Sequence, residues 1–97
     1  MTKCETAICQ LAVNVYGKTS QCTVCMEEMA ELTKEPSKNL RGQDNAAHIA
    51  EEIADVEIML EQLKLMFSIR DEVTQQRTVK LQRLDNRISQ SLIHPKP

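Results

Sequence analysis

Ile49-Ala50-Glu51-Glu52-Ile53-Ala54-Asp55-Val56-Glu57-Ile58-Met59-Leu60-Glu61-Gln62-Leu63-Lys64-Leu65-Met66-Phe67 decides the fold class of this chain. Ile49, Ile53, Val56, Leu60, Leu63 and Phe67 recur with steps of 4-3-4-3-4, the spacing of one face of a helix. No Gly or Pro interrupts the stretch. The seam predicts a long helix, beginning near Asp44 or Asn45, that buries this face against other helices.

The rest of the chain agrees. Ninety-seven residues make one domain at most, read here as a single helical domain over 1–97. Gly and Pro total five, too few for the repeated turns of a small β domain. Strong helix formers dominate, so the expected class is all-α. Tyr16 and Phe67 are the only aromatics, and any core rests on Leu, Ile, Val, Met and Ala. A first helix is expected over about Thr2 to Tyr16, with Ile8, Leu11, Ala12 and Val15 on one face and Gly17 ending it. A second starts near Thr19 or Ser20 and frays by Asn39, with Pro36 either ending or kinking it. Asn39 to Asn45 is the one clear loop. A fourth helix covers about Asp71 to Ser91, with Val73, Leu81, Leu84, Ile88 and Leu92 apolar. The tail over 93–97 is expected to be disordered. The simplest arrangement is an antiparallel four-helix bundle, completed by oligomerisation because so short a chain buries little surface alone.

No stretch approaches the roughly 18 apolar residues of a membrane span, and no signal-peptide core opens the chain, so a cytoplasmic setting without membrane association is expected. The formal charge of −2 favours no class of partner. Cys4, Cys9, Cys22 and Cys25 are expected to be reduced thiols. They offer a zinc set on paper, but C-x4-C is a loose spacing and Cys25 falls on an apolar helix face. Packing is the preferred reading of these small side chains.

Chemistry concentrates in a repeated acidic phrase. Glu27-Glu28-Met29-Ala30-Glu31-Leu32 is echoed 24 residues later by Glu51-Glu52-Ile53-Ala54-Asp55-Val56. Together the copies hold six of the chain's 14 acidic residues. On a wheel turning about 100° per residue, Glu28 and Glu31 border the apolar stripe of one helix. Glu52 and Asp55 border the same side of the other, while Glu27 and Glu51 lie at the rim. Carboxylates brought together there repel one another and lose solvation unless a cation joins them. Hard oxygen ligands suit Mg²⁺, which keeps waters and bridges carboxylates to phosphates. Two solvated helix faces are the plainer alternative.

The paired boxes, EExxE at Glu27, Glu28 and Glu31 and EExxD at Glu51, Glu52 and Asp55, resemble the motif of the MazG-like all-α nucleoside triphosphate pyrophosphohydrolases. That superfamily also takes in the dimeric dUTPases and the phosphoribosyl-ATP pyrophosphohydrolases. The likeness extends as a helical plan from about Gln21 to Ile88. It implies a four-helix core, Mg²⁺ (with Mn²⁺ as an alternative) held by Glu28, Glu31, Glu52 and Asp55, and assembly into homodimers or homotetramers. It further implies cleavage of a nucleoside triphosphate between its α- and β-phosphates, giving monophosphate and pyrophosphate, as a house-cleaning activity. Glu27 and Glu51 are then acids that hold metal-bound water or assist the nucleophile. The partner expected is a nucleotide and not a nucleic acid. The chain lacks the extra helices of larger members, and Pro36 falls where relatives continue the helix, so the preferred base stays open.

Arg77, Lys80, Arg83 and Arg87 draw a basic stripe along the last helix. The segment Lys80 to Arg87 resembles one in which family members contact phosphate and sugar or base, making Lys80, Arg83 and Asn86 the substrate-binding candidates. A solvated face is the alternative there, as it is for Lys34, Lys38 and Arg41. His48 stands one turn before Glu52 and could reach the site, a plain surface His being the commoner alternative; Gln21, on the wheel side of Glu28, is a base-contact candidate on the same terms. Phosphoribosyl-ATP or dUTP hydrolysis, and a non-catalytic helical module that binds nucleotide or a partner, are the competing functions.

Overall fold

A computed structural model describes residues 1–93, which form four α-helices and no strand. The expected disordered tail lies outside these residues except for Ile93, the last residue of the fourth helix. Helix α1 (Lys3–Tyr16) begins at a reciprocal cap. The Thr2 hydroxyl accepts from the Glu5 amide at 3.1 Å while the Glu5 carboxylate accepts from the Thr2 amide at 2.8 Å. Gly17, at φ 88° and ψ 163°, both ends α1 and opens α2 (Lys18–Leu40). The cap expected at Thr19 or Ser20 therefore falls earlier, and no side chain supplies it.

Pro36 lies inside α2, which continues to Leu40. Proline costs the helix one amide donor, and a tether from outside anchors this last stretch. Asn45 Nδ2 donates to the Glu35 carbonyl at 2.9 Å and to its Oε2 at 2.6 Å, binding the loop back onto α2. Asn45 precedes α3 (Ala46–Phe67) but makes no capping bond to it, because its side chain is committed to Glu35.

Helices α1, α2 and α3 pack on one another, with α2 against α3 the main pairing. The buried face of α3 is rotated from the expected seam. Val56 and Met59 are buried and Ile49 and Leu63 half-buried, whereas Ile53, Leu60 and Phe67 are exposed. Phe67 instead lies under the Lys18 ammonium, 4.4 Å from the ring centroid. On α1 the expected apolar face is mostly outward: Ile8, Leu11 and Val15 are exposed and Ala12 half-buried, and Cys9 is the buried residue. Among the described residues the apolar core amounts to Cys9, Cys25, Val56 and Met59, and no large side chain is completely buried.

Buried polar groups fill much of the remaining interior. Gln21 Nε2 donates to Gln62 Oε1 at 2.6 Å between α2 and α3. Glu61 is 3 % exposed and joins three helices: it accepts from Thr6 Oγ1 of α1 at 3.1 Å and pairs with Arg70, the first residue of α4 (Arg70–Ile93). Burial alone would push the Glu61 carboxyl up, but the bonds from Arg70 and Thr6 and the charges of Arg70 and Lys64 hold it below its usual range.

The fourth helix does not close a bundle. It follows α3 after Ser68, a left-handed cap at φ 53°, and touches α3 alone. None of its residues is buried. The radius of gyration is 17.2 Å, against about 12.5 Å for a compact chain of this length. The four expected helices are present, but the single chain is a three-helix cluster with a projecting arm.

Candidate functional site

The register of α2 on α3 decides where the acids meet. The Cys25 and Val56 faces pack inward, and the residues bordering them come to the edge of the same seam. One carboxylate oxygen each from Glu28, Glu52 and Asp55 lies within 4.8 Å of the other two. Among the described residues this is the one group of three or more His, Cys, Asp or Glu side chains gathered closely enough to share a metal ion. Glu28 and Glu52 are half-buried and Asp55 is exposed, so the cluster has a protein side and an open side.

Its electrostatics are one-signed. Burial pushes the Glu28 carboxyl up, and the charges of Asp55 and Glu52, a hydrogen bond shared with Asp55, and the charge of Glu31 push it further. Every charge that perturbs it is negative. Glu52 Oε2 is buried and has no hydrogen-bond partner. A buried acceptor without a donor costs about 1–3 kcal/mol, and more when charged. Cations or donors from outside the chain remove that cost, and three clustered carboxylates of this kind match the oxygen preference of Mg²⁺ or Mn²⁺.

The other expected site residues are placed as follows. Glu31 is exposed, outside the close trio, and its Oε1 is 3.5 Å from Lys34 Nζ. It is near enough for its charge to act on Glu28. Glu27 and Glu51 are exposed at the rim, and His48 Nδ1 lies 3.9 Å from Glu51 Oε2. Gln21 is buried against Gln62, which leaves it no freedom to meet a base. Lys80, Arg83 and Asn86 are exposed on α4, and none of them bonds to the acidic cluster. Asn86 Oδ1 accepts from Gln82 Nε2 at 3.2 Å along its own helix.

The cysteines are dispersed. Cys9 and Cys25 are buried, Cys22 half-buried and Cys4 exposed, all as free thiols. Burial is the first cause that pushes the Cys9 and Cys25 thiols up, which suits packing residues. Sequence reasoning missed the buried contacts of Glu61, Gln62, Glu35 and Asn45. The one available signal was polar Glu61-Gln62 interrupting an apolar run between Leu60 and Leu63.

In comparisons with known proteins, no family model, no curated protein and no solved structure matches this chain. No helix among the described residues is long and apolar enough to cross a membrane.

Proposed function

We propose that this chain is a Mg²⁺-dependent nucleotide pyrophosphohydrolase of MazG-like type, working as a homo-oligomer on nucleoside triphosphates. The observation that carries the reading is the trio Glu28, Glu52 and Asp55, brought within 4.8 Å across two helices with Glu52 Oε2 buried and unpaired. Those three carboxylates would hold the ion, with Glu31 one turn further along α2. A bound divalent ion supplies phosphate-charge neutralisation and a more acidic bound water. The chain's own residues do the rest. The half-buried side of the cluster fixes Glu28 and Glu52 on rigid helices, and the exposed side at Asp55 admits a phosphate chain. Glu27 and Glu51, both exposed, would accept a proton from water at the cluster.

The test is a panel of ribo- and deoxynucleoside triphosphates, with dUTP and phosphoribosyl-ATP included, assayed with Mg²⁺ for pyrophosphate release. Glu52→Gln keeps the size of the side chain and removes its charge. Release by the wild type that falls at least a hundredfold in the variant is expected. Equal release from both, or none from any nucleotide, overturns the reading. A melting curve adds an independent measure: Mg²⁺ should raise the midpoint of the wild type and leave that of Glu52→Gln unmoved.

A further inference from the structure

We propose that Cys22, Cys25 and Met29 form a sulfur site on α2 that takes one Cu(I) ion. It uses none of the residues assigned to the acidic cluster and does not rest on the enzymatic reading.

Positions 22, 25 and 29 stand at i, i+3 and i+7 of one continuous helix, so the three side chains rise along one face. The Cys25 thiol donates to Met29 Sδ at 3.8 Å. Cys22 lies one turn before Cys25, near enough for its charge to act there. Metal–sulfur bonds of about 2.3 Å hold two sulfurs of one ion roughly 3.8–4.0 Å apart. The Cys25–Met29 pair therefore stands at the separation of two ligands sharing an ion.

Packing explains only part of this set. It accounts for Cys25, which is buried, but Cys22 is half-buried and Met29 is 47 % exposed. Met29 lies at the surface, yet its sulfur meets the buried thiol. The three sulfurs thus run from the interior to solvent, and an ion can enter from the Met29 side.

The donors select the ion. Thiolate and thioether are soft ligands and suit Cu(I), whereas Mg²⁺ and Mn²⁺ keep to the carboxylate oxygens. Structural zinc takes four ligands, and among the described residues no third His, Cys, Asp or Glu joins Cys22 and Cys25 at ligand distance. Binding exchanges protons for the ion. Each thiol passes its proton to solvent as its sulfur–copper bond forms, Met29 adds a lone pair, and copper stays monovalent throughout. In the free chain, burial and then the charge of Cys22 hold the proton on Cys25. A cation between the sulfurs offsets both effects.

The test uses the full chain, reduced and kept free of oxygen, in competition with the coloured Cu(I) chelator bicinchoninate. The wild type should withdraw one ion per chain. X-ray absorption at the copper edge, which needs no variant to fold, should show sulfur neighbours alone at about 2.3 Å. Cys22→Ser and Met29→Leu leave the buried Cys25 in place, and each should weaken Cu(I) binding roughly tenfold or more by removing a soft ligand. Their copper-free melting midpoints should match the wild type, which separates a lost ligand from a lost fold, and Cys4→Ser should bind as the wild type does. No transfer from the chelator, nitrogen or oxygen neighbours around the copper, or full affinity in Cys22→Ser or Met29→Leu would each overturn the proposal.

Discussion

Glu61 shows how much one buried carboxylate can organise. It receives a hydroxyl from α1 and a guanidinium from α4 while standing on α3, so three helices depend on its charge. Its partner Arg70 is half-exposed, which places the pair below the strength of a fully buried bridge. Glu61→Gln should lower unfolding stability by about 1–3 kcal/mol, the range for a buried group that loses a charged hydrogen bond, read from urea midpoints. Glu61 and Glu35 both have pKa values held below the ordinary carboxylate range, Glu35 chiefly by the Asn45 bond and then by Lys38. A carboxylate with a depressed folded pKa contributes stability above its unfolded pKa and loses it as pH falls through the folded value. The urea midpoint should therefore drop as pH falls below the usual carboxylate range. The drop should be shallower in Glu35→Gln; an unchanged slope would show that this pair does not drive the acid response.

At the scale of the helices, Gly17 joins α1 to α2 without a loop. Its φ of 88° with ψ of 163° lies in a region that side-chain-bearing residues scarcely enter, although a Cβ there would meet nothing within 4 Å. The cost of substitution is thus conformational and not steric. Gly17→Ala should destabilise the fold by about 1–3 kcal/mol, seen as a lower melting midpoint with the helical content of the surviving fold unchanged.

The sequence showed this punctuation, the four helices, and the approach of Glu28 to Glu52 and Asp55, because each depends on local signals or on the 3.6-residue period. It did not show which apolar stripe of α3 faces inward. Ile53, Leu60 and Phe67 fit the period as well as Val56 and Leu63 do, but packing on α2 and α1 selects a face that includes the polar Glu61 and Gln62. Glu31 lies outside the close trio: one turn along α2 keeps it near Glu28, and its Oε1 sits 3.5 Å from Lys34 Nζ. The course of α4 was illegible because an apolar stripe of helical period does not say what it packs on, and within the chain α4 touches α3 alone.

At the scale of the molecule, a core of Cys9, Cys25, Val56 and Met59 is thin for a chain with so many exposed aliphatic residues. Covering a half-exposed Leu, Ile or Met contributes about 1 kcal/mol. In the proposed self-association, covering Ile69 and, on α4, Leu81 and Leu84 in each of two copies would give on the order of 6 kcal/mol. Association itself costs about 4–15 kcal/mol, so the proposed self-association is expected to be reversible at ordinary protein concentrations.

That reversibility bears directly on the projecting arm. A 24-residue helix with no buried residue has little to hold it when no second copy covers it, since isolated helices are marginal in water. Amide hydrogen exchange over Arg70–Ile93 should accelerate on dilution while exchange over Val56–Met59 stays slow; a rate over α4 that does not vary with concentration would contradict this. Through α4 the protein would register its own abundance. Its last quarter would be ordered when copies are plentiful and would melt when they are scarce.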